Sequence, residues 1–408
     1  MSGRRALFPL LAAIAAASAP AVAQSFSAHG LAQARLVAPS GERSYLDGGF
    51  GKLRYGEPGA RDIDAQASDL FLEGRAQLTP ALFATATLKH DPEQIEAVDI
   101  VEGYLRYRPA SSNPLRWAVK AGAFFPPISF ENDGLGWVSA YSLTPSAINA
   151  WVGEELRAIG AETALEWRMT ARTVSLAGAV YGWNDPTGVL LADRGWALTD
   201  RVTGLLDRVR LPDAFAAMRR VAVPLTETEF LEMDGRPGWY AALEWEERDG
   251  PIFRAMRYDN NADPAAREKG QIAWRTAFWS AGASIPLGSW TVIAQAMTGM
   301  TEIEPAPNFV MTTDFDAAFA LLSRDIGDFR VTGRVDAFRT RETATPAVPR
   351  RREDGKAGLI ALSWFASEHL RLTGEALFVT STRPERVNDG ENPKADETQF
   401  QASLQLSF

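Results

Sequence analysis

Carboxylates and guanidinium groups are the side chains of this sequence whose placement suggests chemistry. Glu131 and Asp133, then Glu154 and Glu155, lie in one apolar stretch, 124–157, together with Trp137, Tyr141, Leu143, Ile148 and Trp151. Arg75, Arg106, Arg116, Lys120, Arg330 and Arg334 stand elsewhere, in segments where polar and apolar residues alternate. Charges of both signs converging on a narrow aqueous space decide which ions enter it. Bond-making chemistry has much less support. His29, His90 and His369 sit in unrelated places, cysteine is absent, and there is no G-x-S-x-G elbow, H-E-x-x-H pair or phosphate-cradling loop. The adjacent acids Glu154-Glu155 and Glu246-Glu247 share only their residue type with a glycosidase. No catalytic, metal or cofactor set emerges, which points away from an enzyme.

The elements that must position these charges are strands. In the last segment Phe400, Ala402, Leu404, Leu406 and Phe408 alternate with Gln399, Gln401, Ser403, Gln405 and Ser407. A strand sends successive side chains to opposite faces, so one face is apolar and the other polar. The same alternation recurs around Arg116 and Lys120 and in 157–168, 239–248, 329–339 and 370–379. The pattern predicts strands over 25–37, 67–78, 81–90, 98–108, 115–125, 157–168, 172–183, 239–248, 251–258, 271–283, 289–300, 314–324, 328–340, 356–366, 369–380 and 397–408. That is an all-β, antiparallel transmembrane barrel of 16 strands, with 18 as the alternative count. Tight turns alternate with longer polar connections near 38–66, 91–97, 126–156, 184–238, 259–270, 301–313, 341–355 and 381–396. A barrel of this size encloses a water-filled lumen rather than a packed core. Stretch 124–157 is too apolar for a solvated loop. Folded inward, it would bring Glu131, Asp133, Glu154 and Glu155 to a constriction facing the wall bases.

Both ends and the composition agree with a membrane barrel. Arg4 and Arg5 precede the apolar run Ala6 to Ala19 and then Ala21-Val22-Ala23, the layout of a cleaved signal peptide over 1–23. Residues 24–408 are then the barrel, and with both termini periplasmic its longer connections face outward. No other stretch is long and apolar enough for a membrane helix, whereas a closed barrel crosses a bilayer with every backbone group paired. The 12 tryptophans and 21 phenylalanines suit interfacial girdles. A formal charge of −9 argues against nucleic acid as a partner.

The segment Gly122-Ala-Phe-Phe-Pro-Pro-Ile-Ser-Phe-Glu-Asn132, with Trp137, Ser146-Ala-Ile-Asn149 and Gly153-Glu-Glu-Leu-Arg157, resembles porins of α-proteobacteria, which are related to the phosphate-selective porin superfamily. The resemblance implies an outer-membrane porin that passes small hydrophilic or ionic solutes, including anions such as phosphate, and assembles as a homotrimer. Separately, the basic run Arg350-Arg351-Arg352 in the 341–355 connection could contact the phosphates of outer-membrane lipid and lipopolysaccharide. A plugged or substrate-specific channel is the alternative, because the 184–238 connection is unusually long, and an outer-membrane barrel enzyme is a remote second one. Within it Leu205, Leu206, Val209, Phe215 and Met218 have helical spacing and could plug the lumen.

Overall fold

The computed structural model describes residues 25–56, 63–214, 226–345 and 351–408; segment 1–23, expected from the sequence to be a signal peptide, lies outside them. Its strands are β1 (Ser25–Ser40), β2 (Asp64–Gln77), β3 (Leu82–His90), β4 (Val98–Tyr107), β5 (Leu115–Phe124) and β6 (Ala158–Arg168). They continue with β7 (Arg172–Gly182), β8 (Gly238–Glu247), β9 (Ile252–Asp259), β10 (Arg275–Leu287) and β11 (Trp290–Ala306). The last are β12 (Phe309–Ile326), β13 (Phe329–Thr345), β14 (Arg352–Phe365), β15 (Leu370–Thr382) and β16 (Lys394–Ser407). Each pairs antiparallel with its sequence neighbour, and β16 pairs with β1, closing a barrel of 16 strands. Phe408 completes the seam by exchanging backbone hydrogen bonds with Gly30 at 2.7 and 3.0 Å.

The alternation dictates which face is which. Leu36, Leu72, Trp117, Trp167, Leu243, Trp279, Leu322, Val335, Ile360, Trp364, Phe400 and Leu406 are exposed on the outside. A continuous apolar surface of this kind requires lipid rather than water around it. At the end holding both termini, turns are tight. Gly288 (φ 65°) and Gly327 (φ 58°) occupy left-handed positions of two-residue turns, where a Cβ would be strained.

Two connections are shorter than the sequence pattern implies. Strands β11 and β12 run on to a turn at Pro307-Asn308, so 301–313 is mostly sheet. Likewise β13 extends to Thr345 and β14 begins at Arg352. The physical reason lies on the outer face. Thr298, Asp316, Arg339 and Asp354 are outward-facing there, so the apolar-out rhythm ends while the hydrogen-bonded ladder continues past the hydrocarbon.

Candidate functional site: the barrel interior

The lumen is filled at the end with long connections. Stretch 125–157 crosses the interior and carries helix α1 (Ala147–Glu155), every residue of which is buried. Its start is set by Ser146, whose hydroxyl accepts from the Asn149 N–H at 3.3 Å. The segment is fastened to inward-facing side chains of the far wall. Gln295 on β11 donates to the Ile128 carbonyl (3.1 Å), and Arg330 on β13 donates to that of Ala140 (3.0 Å). Glu375 on β15 accepts from the Leu143 and Thr144 N–H groups at 2.6 and 3.2 Å, and Asp336 on β13 accepts from the Ala147 N–H at 3.2 Å. Arg334 on β13 donates to the carbonyls of Thr144 (2.7 Å) and Pro145 (2.9 Å).

The connection from β7 to β8 packs behind α1 and contributes helix α2 (Val189–Asp193). Trp151 of α1 meets Trp196 of this connection and Phe278 and Phe315 of the wall, with ring centroids 5.4–6.0 Å apart. Leu191, Leu198, Tyr181, Tyr240, Tyr258 and Phe338 join the same core. Of the predicted plug helix, Leu205 and Leu206 are in a turn, Val209 is in a two-residue strand, and Phe215 and Met218 lie outside the described residues. The connection from β1 to β2 adds a third piece. Its Lys52 forms a fully buried ion pair with Glu353 on β14, and Arg54 reaches Asp91 (3.1 Å), Asp69 (3.4 Å) and Asp200 (3.4 Å).

These contacts decide where the sequence-predicted acids stand. Glu131 accepts from the Ser146 N–H (2.7 Å) and the Asn149 amide (2.8 Å), with Arg334 at 3.5 Å. Glu154 takes a two-pronged bond from Arg194 at 2.8 and 3.2 Å. Glu155 accepts from the Gly188 and Leu190 N–H groups (3.2 and 3.0 Å) and from the Trp151 indole. All three are wholly buried, so they brace α1 and its neighbours and present no charge to solvent. Asp133 alone of the four is exposed.

The predicted bases divide in the same way. Arg334 is sealed beneath the crossing segment, with Asp336 at 2.8 Å. Arg330 is half-buried beside Asp325 (2.6 Å) and the Tyr141 ring. Arg75, Arg106, Arg116 and Lys120 share the opposite wall, β2 to β5, toward the tight-turn end. Arg75 is well exposed and pairs with Glu73 at 2.6 Å; Lys120 pairs with Glu162 at 3.2 Å. Arg106 sits directly across the ladder from Lys120, and Arg116 from Glu166. Glu166 is already held by Arg108 (3.2 Å) and Arg168 (2.7 Å). Among the described residues neither Arg106 nor Arg116 has a carboxylate within ion-pair distance, so bases outnumber acids on this wall.

Residues that matter to the interior but escaped the sequence reading include Arg194, Arg201, Glu229 and Lys52, while Arg157 stands there only as part of a motif, with no role. Arg157 donates to the carbonyls of Leu156 (2.6 Å), Val101 (3.1 Å) and Thr203 (3.2 Å) and lies over the Phe125 ring at 3.4 Å. A usable signal existed. Leu190, Leu191, Trp196 and Leu198 are too apolar for a solvated connection, the same reasoning that singled out 124–157.

No family model and no curated protein matches this sequence. Solved structures do match. An anion-selective porin from Comamonas acidovorans aligns with a TM-score of 0.54 and 11% identity over 94% of this chain and 99% of that one. The outer membrane channel DcaP of Acinetobacter baumannii gives 0.53 at 10% identity, covering 94% and 97%. OmpT, an outer membrane protein of Vibrio cholerae, gives 0.52 at 8%, also covering 94% and 97%. The fold is that of the bacterial porins. At these identities the likeness concerns architecture alone, and the charges of this interior must be read on their own.

Proposed function

We propose that this chain is an outer-membrane channel for small hydrophilic solutes, favouring anions and gated by the segments folded into its outer half. The observation that carries this reading is the division of the lumen. The partly exposed bases Arg106, Arg116 and Lys120, with the exposed Arg75, stand on one wall toward the tight turns, and the outer half is packed with Trp151, Trp196 and buried ion pairs. An open sieve would need no such core, and a structural barrel would need no such bases. The sequence resemblance to α-proteobacterial porins related to phosphate-selective ones supports anionic solutes, phosphate among them. So does the local surplus of Arg106 and Arg116. A homotrimer, periplasmic tight turns and export by the 1–23 signal peptide belong to the same proposal. The small outward residues Ala34, Ala86 and Ala121 fit close protomer packing there. The segments in the outer half also favour a solute-specific channel over a general one.

The wall bases supply the test. In a planar bilayer under a salt gradient, the wild type is expected to show an anion-favouring reversal potential. Replacing Arg106, Arg116 and Lys120 together by Gln should move it toward or past zero. An unchanged reversal potential would remove these residues from the selectivity.

A further inference from the structure

We propose that the tight-turn end of the barrel interior holds a site for an aromatic monocarboxylate, centred on Arg371 of β15. The site rests on the reading of an anion-favouring channel and names a solute class for it. Arg371 is the second residue of β15 and shares the inward face with Thr373 and Glu375. It lies directly across the ladder from Phe365 of β14 and Gln405 of β16. Only 9% of the residue is exposed. Its Nε donates to the hydroxyls of Thr373 (3.1 Å) and Ser363 (3.2 Å), and its Nη2 to that of Ser363 (3.0 Å). These partners are neutral. Among the described residues no carboxylate stands within ion-pair distance of Arg371, and its Nη1 has no acceptor.

The charged groups facing Arg371 are Arg330 of β13 and Glu375 of its own strand. Both are engaged elsewhere, Arg330 with Asp325 (2.6 Å) and Glu375 with the N–H groups of Leu143 and Thr144. A nearly buried guanidinium held only by hydroxyls costs free energy unless an anion completes its surroundings. A second observation points to the same place. The Ser403 hydroxyl, on the residue directly across from Thr373, is buried without a hydrogen-bond partner.

Charge and shape narrow the class of ligand. Asp325 balances Arg330 and Glu375 faces Arg334, so Arg371 brings one positive charge, which suits a monoanion better than a phosphate dianion. The neighbouring walls are rings. Phe365 is 36% exposed, and the guanidinium groups of Arg330 and Arg371 each lie 5.5 Å from its centroid. Arg330 also lies over the partly buried Tyr141 ring of the crossing segment at 5.2 Å. An inorganic oxyanion gains nothing from these rings. A benzoate-like solute has a carboxylate to accept from Arg371 Nη1 and the Ser403 hydroxyl, and a ring to pack on Phe365 and Tyr141.

The test titrates benzoate into the full-length protein refolded in detergent and follows saturation transfer to the benzoate ring protons by NMR. Acetate and inorganic phosphate serve as competitors. The wild type should bind benzoate, and each competitor should displace it only at about tenfold higher concentration. Arg371→Gln should weaken binding about tenfold, as expected for loss of a charged hydrogen-bonding partner. Ser403→Ala, a change too small to disturb the ladder, should weaken it about threefold and carries the test if Arg371→Gln fails to assemble. Phe365→Leu should erase the preference over acetate. No transfer in the wild type would overturn the proposal, as would wild-type affinity in an assembled Arg371→Gln barrel or in Ser403→Ala. Phosphate or acetate competing as well as benzoate itself would overturn the assignment to aromatic carboxylates. Binding is read without current, so the two readings fail separately. Anion-selective conductance without benzoate binding sinks only the site, and cation-selective conductance beside Arg371-dependent binding sinks only the anion-favouring channel.

Discussion

Arg334→Ala should release the segment that crosses the lumen, and its effect should be among the largest of any single substitution in this protein. The guanidinium stands among Glu131 (3.5 Å), Asp336 (2.8 Å) and the nearby Glu375, and it donates to two carbonyls of the crossing segment. It carries the cation to which these acids are paired, and its own side chain is fully buried. Removing one partner of a buried ionic cluster leaves uncompensated charge in a dry site, at a cost of about 3–5 kcal/mol. The barrel wall, held by continuous ladders, should stay intact, and the free energy should be relieved by detaching 142–147. The measurement is protease cleavage between Ser142 and Ala147 together with single-channel noise. Faster cleavage and larger current fluctuations are expected at unchanged barrel assembly. Cleavage at the wild-type rate would mean that Glu375 and Asp336 hold the segment without Arg334.

Raising the pH should loosen the packing between α1 and the β7–β8 connection. Glu229 is fully buried, and neither carboxylate oxygen has a hydrogen-bond partner. The charged groups facing it are Glu155 and Glu154 from α1, Glu227 from its own segment, and Arg201. Burial and this company push Glu229 far above the usual carboxylate range, and burial pushes Glu155 up to about 7. Both acids are therefore raised in the folded protein. Their contribution is full below the ordinary carboxylate value and is lost as pH climbs through about 7 and beyond. The shift at Glu155 corresponds to roughly 3 kcal/mol over that window. Open probability should rise between pH 6 and 9, and Glu229→Gln, which removes the burden of a second charge, should flatten the rise. A pH response of opposite sign, or an identical response in the variant, would contradict this account.

Much of this architecture could be read from the residues because a barrel wall obeys a period of two. All sixteen strands overlap the segments where alternation puts them, with β11, β12 and β13 running five or six residues further toward the long connections, and Gly288 and Gly327 mark turns that glycine conformation requires. What alternation could not reveal is what the inward faces touch. Phe278, Phe315 and Phe338 point inward, where a water-filled lumen would favour polar groups. They make sense only once Trp151 and Trp196 arrive from distant connections. The acids illustrate the same limit. Glu154 and Glu155 sit two and three residues after Val152 on α1, and whether they face water or Arg194 depends on a segment forty residues later. The wall bases were easier. Arg106, Arg116 and Lys120 occupy the polar phase of clearly alternating strands, so their direction followed from the pattern, while the lack of partners for Arg106 and Arg116 needed the ladder register. On the outer face, the extension of β11 to β14 past the membrane was hidden because polar-out strands and polar loops look alike in sequence.

The central claim is that the segments packed in the outer half hold the channel shut. Gly238 pairs with Tyr181 and Gly182 closes the β7 ladder, so 184–236 can be replaced by a short Gly-Ser turn without stretching the wall. Single-channel recording of this variant beside the wild type is the most direct measurement. The account predicts rare, small openings for the wild type and steady, ohmic, several-fold larger conductance for the variant. Equal, steady conductance in both would contradict it, because the filled half would then not be the barrier to flow.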